Sequence, residues 1–358
     1  MIDKFKNIFA IPELRRRIIF TLGIMVAVRL GAHIPIPGIN GDVLAAAFEG
    51  LQNTLFGLYN LFAGGAFEKA TLFALGIMPY ISASIIIQLM STVVPYFQRL
   101  QKEGEAGRKK ITQVTRYLTV LISAMQAYGI VAVFLPSMSA GGQSVVINPG
   151  VGFIFTGMVS LITGTILLMW LGERITERGI GNGISLIIMV GILASLPKVV
   201  VTQTQNLING ESNPFSFIIA LVLLIGIIVF VVLISTGVRK IPVQYAKRVV
   251  GRKVYGGQST HIPLKILTAG VMPIIFAQAL MFLPGMMGQF VPEQLETMSG
   301  IMASFNDFTS IPYNLTQFIL VIMFTYFYTA ILFNPKQMAD DLKRNNAFIP
   351  GIKPGAPT

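Results

Sequence analysis

Residues 216–236 read SFIIALVLLIGIIVFVVLIST, a run without a single charged side chain. A helix needs about 20 apolar residues to cross the hydrocarbon core of a membrane. The run meets that length and therefore predicts a membrane-spanning helix. Comparable runs recur along the chain, and together they predict eight spans, at roughly 18–36, 71–95, 114–135, 152–172, 183–201, 216–236, 264–290 and 313–333.

The overall composition agrees with this interpretation. Hydrophobic residues make up 53% of the chain, charged residues make up 12%, and the mean hydropathy is +0.70. Soluble domains carry about 25% charged residues. The composition therefore excludes a soluble globular enzyme, a disordered protein and a fibrous repeat, and it predicts one all-α polytopic membrane domain over residues 1–358.

The basic residues alternate between the two sides of the predicted spans. One side holds Lys4, Lys6, Arg15, Arg16, Arg17, Arg99, Lys102, Arg108, Lys109, Lys110, Arg116, Arg174, Arg178, Arg239, Lys240, Lys247, Arg248, Arg252, Lys253, Lys265, Lys336, Lys343, Arg344 and Lys353. Only Lys69 and Lys198 fall on the other side. Because cytoplasmic loops carry the excess of Lys and Arg, this alternation predicts that both chain ends are cytoplasmic.

Several kinds of active site lack the residues that they require. The absence of cysteine excludes disulfide frameworks and Cys-based metal centres, and His33 and His261 are too few for a His-based site. No Walker A, HExxH or GxSxG pattern occurs, so we expect no catalysis, no metal and no cofactor. One function open to a polytopic membrane protein is that of a small-solute secondary transporter. The carboxylates that ion-coupled carriers usually place near the membrane midplane are missing from the predicted spans, which argues against this function.

A few polar side chains fall inside the predicted spans. Arg29 either extends toward the outer surface, which we favour, or pairs with a specific partner. Gln88, Gln126 and Gln278 each need a hydrogen-bonding partner when they are shielded from water. They either join helices to one another or line a hydrated seam between helices.

Residues 53–65, NTLFGLYNLFAGG, are apolar but too short to span a membrane. One interpretation is a helix lying in the membrane interface. The other is a re-entrant segment inside a protein-lined cavity, where non-spanning backbone is tolerated. Physical argument alone favours the interfacial helix. In either case Gly64-Gly65 is expected to end a short helix.

The last two cytoplasmic segments carry local folding signals. Within residues 237–263, apolar and polar residues partly alternate around Gly251-Arg252, which predicts a hairpin turn there. Its basic tip either meets phosphates or an acidic protein face, or only enforces topology. Asn334-Pro335 predicts a helix start, with an end near Asn345-Asn346. The following stretch, 348–355, is predicted to be rich in turns.

Six stretches, in order along nearly the whole chain, resemble the SecY family of protein-conducting channels. They are IPIPG at 34–38, LGIMPYISAS at 75–84, EGEAGRKK at 103–110, GERITERGIGNG at 172–183, QSTHIPLK at 258–265 and FIPGIKPG at 348–355. Agreement at six ordered sites is too specific to arise by chance.

The resemblance implies ten transmembrane helices in two inverted five-helix halves around an hourglass pore. Eight of these helices are expected here. Residues 1–201 correspond to the first half, with a plug at 53–65, and residues 202–358 to an incomplete second half. Cytoplasmic loops are expected at 237–263 and 334–358. The chain stops before the family's ninth and tenth helices, which is expected of a fragment or a partly resolved chain but also of a naturally shorter protein.

The resemblance also implies roles for individual residues. They are a plug at Thr54, Leu55, Phe56, Gly57, Leu58, Tyr59, Asn60, Leu61, Phe62, Ala63, Gly64 and Gly65; an aliphatic pore ring at Ile77, Ile81, Ile184, Ile188 and Ile275; a lateral gate at Gln88, Gln126 and Gln278; and a docking surface at Arg239, Lys240, Arg252, Lys253 and Lys353. The plug assignment reverses the preference for an interfacial helix. The family commonly has Arg where Lys353 stands, so bidentate contacts would be lost there.

The implied function is a passive, non-enzymatic channel of the bacterial cytoplasmic membrane. Unfolded secretory proteins would cross through it, and transmembrane helices would leave it sideways into lipid. SecA with ATP, or the ribosome, would supply the energy. The expected partners are SecE, SecG, SecA, the ribosome with its RNA and proteins, signal peptides, nascent secretory or membrane proteins, and the lipid bilayer.

Overall fold

The structure is a computed structural model that describes most of the chain. The described residues are 10–51, 54–210, 213–245, 248–250, 253–255, 259–287, 307, 309–332, 335–345, 347–353 and 355. Most of them are helical, and the strands are confined to the segments between helices.

Helices follow one another along the described chain. They are α1 Pro12–Gly31, α2 Gly41–Glu49, α3 Leu55–Phe62, α4 Met78–Val93, α5 Pro95–Lys102, α6 Glu105–Tyr128, α7 Val151–Arg178, α8 Gly183–Ile208, α9 Pro214–Thr236, α10 Met272–Met287, α11 Ile311–Leu332 and α12 Pro335–Arg344. Helix α6 continues through a π-helical turn, Gly129–Phe134, to Leu135–Ser137. Proline lies at the first or second position of α1, α4, α5 and α9, where no intrahelical N–H bond is lost.

Short strands occupy the connecting segments. They are β1 Ser139–Ala140, β2 Gln143–Ser144, β3 Val238–Tyr245, β4 Arg248–Val250, β5 Lys253–Tyr255, β6 Ser259–Lys265 and β7 Ala347–Phe348. Strands β1 and β2 pair with each other, β4 pairs with β5, and β3 lies between β6 and β7. All of these pairings are antiparallel.

Five of the described helices are long and apolar enough to cross a membrane. They are α6 with its extension to Ser137, α7, α8, α9 and most of α11. Helices α4 and α5 meet at a bend of 95° and would count as a sixth span if taken together. The predicted all-α polytopic membrane fold is therefore confirmed, whereas the predicted number of eight spans is not.

The first and seventh predicted spans differ from the observed helices at their ends. The first, 18–36, is shifted toward the N-terminus, since α1 takes in the three arginines at 15–17 and ends at Gly31. With Arg29 also inside α1, the helix is too charged to qualify as a span by composition. The seventh, 264–290, becomes helical only in α10, because its first residues belong to strand β6.

The predicted second span, 71–95, is wrong at its N-terminal end, since α4 begins only at Met78. The preceding backbone has partners outside any helix: the Leu72 N–H donates to the Ile34 carbonyl at 2.9 Å. Helix α7 also packs on this backbone, because a Cβ added at Gly164 would overlap the Leu72 carbonyl oxygen. Non-helical backbone at membrane depth is tolerated when it is enclosed by protein in this way.

The chain divides into two compact units. The first contains residues 1–202 and 278–317. Within it α6 packs against α4 and α7. Its largest fully buried side chains are Leu44, Phe48, Leu75, Val131, Val145, Leu161, Ile175, Met281 and Tyr313. A continuous apolar core therefore supports the segments between the helices as well as the helices themselves.

The second unit contains residues 203–277 and 318–358, and it holds the three-stranded sheet. Strand β3 pairs along its length with β6, and its end pairs with β7, where Tyr245 lies opposite Ala347. The sheet thus joins the loop after α9 to the tail after α12, which the sequence did not predict. The division into halves at residues 201 and 202 remains a prediction.

The predicted hairpin and the predicted tail helix are both confirmed. Strands β4 and β5 form an antiparallel pair with Val250 opposite Lys253, and residues 251–252 between them lie outside the described residues. Helix α12 begins at Pro335 and ends at Arg344, close to the predicted end. Local turn and capping signals were sufficient for these two elements.

Candidate functional site

The predicted plug contains helix α3, which is packed into the first unit. The Phe56 ring stacks on Phe134 at a centroid distance of 4.6 Å, and the Tyr59 ring meets the edge of Phe67 at 5.0 Å. Both side chains are almost fully buried. The Tyr59 hydroxyl donates to the Leu75 carbonyl at 2.6 Å. The helix therefore lies against protein, as the re-entrant interpretation requires and the interfacial interpretation does not.

The end of α3 is a tight turn. Gly64 and Gly65 have φ values of 66° and 80°, a region that favours glycine because it has no Cβ. The Asn60 side chain holds the turn closed, since its Nδ2 donates to Glu68 Oε2 at 2.9 Å and its Oδ1 accepts from the Glu68 N–H at 3.0 Å. The prediction that Gly64-Gly65 ends a short helix is confirmed.

The start of the predicted plug is tied to a second segment of the first unit. Thr54 forms an isolated antiparallel bridge with Asp307, and its hydroxyl donates to the Leu51 carbonyl at 2.7 Å. The Asp307 carboxylate accepts hydrogen bonds from the hydroxyl and the N–H of Thr309, and these bonds lower its pKa below the usual value. Both ends of α3 are thus fixed by specific bonds.

Arg29 reaches the far end of the predicted plug. Its Nη1 donates to the Gly64 carbonyl oxygen at 3.0 Å, and the residue is half-buried. The sequence analysis favoured extension to the outer surface, but the structure instead gives this cation a specific partner. Nothing in the sequence indicates the contact, because the two residues are 35 positions apart.

Two of the predicted ring residues lie beside the end of the plug. Ile77 and Ile188 line a cavity of about 20 Å³, together with Phe62 and Gly191. Ile81 follows Ile77 by one turn, and its N–H donates to the Ile77 carbonyl at 3.1 Å, so both side chains share a helical face. Ile77 and Ile81 are both almost fully buried.

The other ring candidates have different surroundings. Ile184 is half-buried against α7, where a Cβ added at Gly172 would lie 3.1 Å from its Cγ1. Ile275 lies in α10 within the second unit, where it is half-buried and its N–H donates to the Val271 carbonyl at 3.3 Å. The described contacts thus bring two of the five predicted ring residues to one cavity.

Two of the three predicted gate glutamines have a buried side-chain oxygen without a hydrogen-bond partner. Within the described residues, the Oε1 atoms of Gln88 and Gln126 are buried and have no hydrogen-bond partner. These residues lie on α4 and α6, which pack against each other. Gln278 lies on α10 and is half-buried. A buried acceptor without a donor is unfavourable, so Gln88 and Gln126 are ready to accept a hydrogen bond.

The predicted docking residues are distributed over the sheet and the tail of the second unit. Arg239 and Lys240 are exposed on β3, and Lys353 is exposed shortly after β7. Lys253 lies on β5, and Arg252 lies outside the described residues. Because β7 pairs with β3, the two predicted docking segments belong to one folded structure.

An ion pair that has no signature in the sequence joins two helices. Arg116 on α6 donates from Nε and Nη2 to the two carboxylate oxygens of Glu173 on α7, at 3.0 and 2.6 Å. The fork of the guanidinium matches the carboxylate, which makes this a specific contact. The sequence showed only charges near helix ends and gave no indication that they would meet.

Two features of the described structure bear on possible ligand sites. Within the described ranges, no group of three or more His, Cys, Asp or Glu side chains is placed to hold a metal ion. A groove of about 390 Å³ runs between α1 and α8, but its walls are mainly apolar, including Leu22, Met25, Leu186 and Met189. The Thr21 hydroxyl in this groove is engaged, because it accepts from the Ile180 N–H at 3.2 Å.

Comparison with known sequences identifies relatives across almost the whole chain. The family model named SecY matches residues 71–358. Protein translocase subunit SecY of Escherichia coli (strain K12) is 46% identical over 355 residues, which cover 97% of this chain and 78% of that protein. The subunit of the same name from Buchnera aphidicola subsp. Acyrthosiphon kondoi is 46% identical over 349 residues, which cover 95% of each chain.

Comparison with solved structures finds the same fold. A structure described as showing that the plug domain of the SecY protein stabilises the closed state of the translocation channel has a TM-score of 0.65 and 17% identity, covering 95% of this chain and 78% of that one. Sec61 in the canine ribosome–channel complex has a TM-score of 0.52 and 20% identity, covering 77% and 58%. From the family match and the sequence identities together, the chain belongs to the SecY family.

Proposed function

We propose that this chain is the channel subunit of a protein translocon in the bacterial cytoplasmic membrane. Unfolded secretory proteins cross through it, and transmembrane helices leave it sideways into lipid. The observation that carries the proposal is the cavity at the end of α3, where Phe62 of the plug meets the ring candidates Ile77 and Ile188. The relatives named protein translocase subunit add support, whereas nothing favours a small-solute transporter.

The five ring candidates form the constriction of the proposed pore. Branched aliphatic side chains offer ions no hydrogen bonds, so a narrow ring of them excludes water and ions when closed. The same side chains yield around a passing polypeptide because they form no directional bonds. The members of the ring are Ile77, Ile81, Ile184, Ile188 and Ile275.

The segment 54–65 acts as the plug that closes the outer side of this constriction. Its placement at membrane depth is possible because its polar groups are satisfied within the protein, as the Tyr59 hydroxyl and the Asn60–Glu68 pair illustrate. Opening requires these contacts to break. The channel is passive, and it needs an external source of energy to drive a polypeptide through.

The lateral gate opens beside Gln88, Gln126 and Gln278. The orphaned oxygens of the first two side chains support this assignment, because an arriving peptide backbone supplies N–H donors that they lack in the closed arrangement. A signal peptide that enters beside these glutamines gives the two unpaired oxygens a hydrogen-bond donor.

The driving partners dock on the cytoplasmic face of the second unit. Arg239, Lys240, Arg252, Lys253 and Lys353 form a basic surface for SecA or for the ribosome, and the pairing of β7 with β3 supports a single surface. The likeness to Sec61 in a ribosome–channel complex also supports ribosome docking. SecE and SecG are the proposed membrane partners, and the chain N-terminus is cytoplasmic.

Disulfide trapping tests the pore, because the chain contains no cysteine. The variant Ile188→Cys, assembled with its membrane partners, receives a secretory chain that is stalled in transit and carries one cysteine. Ile227→Cys on α9 is the matched control, since Ile227 is exposed on a helix that has no charged side chain. We expect trapping at position 188 and none at 227. Equal trapping at both positions would refute the pore assignment.

Charge reversal tests the docking surface. Arg239→Glu combined with Lys240→Glu should abolish secretion driven by SecA, because both side chains are exposed and available to a partner. Lys198→Glu is the control, since Lys198 is also exposed but lies at the other side of the predicted topology. Unchanged secretion by the double variant would mean that this strand is not the docking surface.

A further inference from the structure

Arg29 is a cation inside the predicted first span, and it lies in the last turn of α1. Its Nη1 donates to the Gly64 carbonyl at 3.0 Å, and no described carboxylate lies close enough to form an ion pair with it. A half-buried guanidinium is unfavourable unless it is hydrogen-bonded. The Gly64 carbonyl is therefore the partner that makes this position tolerable for a charge.

Only glycine fits where Gly64 contacts Arg29 and Gly191. A Cβ added at Gly64 would lie 2.6 Å from Arg29 Nη1 and 2.7 Å from the Cα of Gly191 on α8. A Cβ added at Gly191 would in turn lie 3.1 Å from the Phe62 carbonyl oxygen. The end of the plug is thus held between a cation on α1 and a glycine on α8.

The electrostatics of the helix end strengthen this contact. The last carbonyl groups of a helix carry partial negative charge, and a cation placed there is stabilising. Gly64 closes the turn that follows α3, so Arg29 lies at the negative end of the plug helix. A hydrogen bond with one charged partner is about twice as strong as a neutral one.

We infer that Arg29 is the latch that holds the plug closed, and this inference rests on the proposed function. When the plug leaves, the guanidinium loses its partner and is left beside the apolar side chains of Ile77 and Ile188, which line the same cavity. The closed arrangement is therefore stabilised by the free energy of the hydrogen bond between Arg29 and Gly64, which the open arrangement lacks. Arg29 is a positioning residue: it acts on the pore through Gly64.

The resting ion current of the full channel complex in planar bilayers, without substrate, tests the latch. Arg29→Gln should raise the open fraction about 10- to 100-fold, as expected for the loss of a hydrogen bond to a charged group. Arg29→Lys, which keeps the charge as a single point donor, should restore most of the closure. Arg17→Gln is the matched control, because Arg17 lies on the same helix and pairs with the exposed Glu13.

A second variant acts from the other side of the contact. Gly191→Ala leaves Arg29 intact but places a methyl group against the Phe62 carbonyl, so it should also raise the resting current. Both substitutions disrupt the packing of the turn at Gly64-Gly65. The resting current of the double variant should therefore be only slightly larger than that of the stronger single variant. Fully additive effects would overturn the latch, as would equal currents for Arg29→Gln and Arg17→Gln.

The transport assay separates the two proposals. If the unaltered complex carries a secretory chain but Arg29→Gln shows the resting current of the control, the latch is refuted and the channel remains. If the unaltered complex carries no secretory chain under SecA and ATP, the channel proposal is refuted, and the latch is refuted with it.

Discussion

Replacement of Phe56 by alanine should raise the resting ion conductance of the channel about 100-fold. Phe56 is 7% exposed, and its ring lies 4.6 Å from Phe134 and 6.1 Å from Phe67. Under the proposed function, Phe56 loses both contacts when the plug moves away from Phe134 and Phe67. The substitution therefore weakens the closed arrangement and leaves the open one almost unchanged.

The size of the effect follows from burial. Truncation of a buried phenylalanine to alanine costs about 3–5 kcal/mol, including the cavity that remains. We take the lower end, about 3 kcal/mol, because a short helix between turns shifts to fill part of that space. At about 1.4 kcal/mol for each tenfold change, this becomes roughly 100-fold in the ratio of open to closed channels.

Phe56→Leu should give an intermediate value. Leucine keeps most of the buried apolar volume but loses the ring stacking, which is worth about 0.5–1.5 kcal/mol. The expected rise is then roughly fivefold. Leu61→Ala is the matched control on the same helix, since Leu61 is 41% exposed and its truncation should change the current about twofold or less.

Single-channel recording in planar bilayers, without substrate, measures these ratios directly. Thermal unfolding of each purified variant, followed by tryptophan fluorescence, shows whether the complex stays folded. The predicted order of resting current is Phe56→Ala, then Phe56→Leu, then Leu61→Ala. If Phe56→Ala and Leu61→Ala conduct equally in folded complexes, burial of Phe56 does not hold the plug closed.

Two further predictions concern helix packing. Gly164→Ala should lower the midpoint of thermal unfolding, because the new Cβ overlaps the Leu72 carbonyl and overpacking costs about 1–3 kcal/mol. The control is Gly226→Ala, whose new Cβ has nothing within 4 Å, and it should leave the midpoint unchanged or raise it. Glu173→Gln should cost about 1 kcal/mol, because the fork of Arg116 loses its charged acceptor at a partly exposed site. Removing the charges of both Arg116 and Glu173 should recover part of the lost free energy of unfolding. If the losses of the two single variants simply add in the double variant, the two side chains do not interact.

The predictions that succeeded depend on short windows of sequence. The apolar run at 216–236 became helix α9, with Asn213 capping it through a bond to the Phe215 N–H at 3.0 Å. Asn334-Pro335 marked the start of α12, and the alternation around residues 251–252 marked the hairpin. Hydropathy, capping and turn preference act within one or two turns, so a sequence shows them directly.

The predictions that failed concern segments whose state depends on distant partners. Residues 71–77 are apolar enough to continue a span. However, the Leu72 backbone donates a hydrogen bond to the Ile34 carbonyl and packs against Gly164, so the helix starts only at Met78. Physical argument alone also favoured an interfacial helix for α3, and only the resemblance to the SecY family reversed it. Of the two rings that pack on Phe56, Phe134 comes from a segment far away in sequence.

The sequence by itself therefore determined the class of the protein, its helical membrane character, its family motifs and its local helix and hairpin starts. The tertiary structure alone decided which backbone and side-chain groups meet. It placed Arg29 on the Gly64 carbonyl across 35 positions and joined β7 to β3. The physical reason is that apolarity and capping are properties of a short segment, whereas a hydrogen bond between remote groups exists only after the whole core has packed.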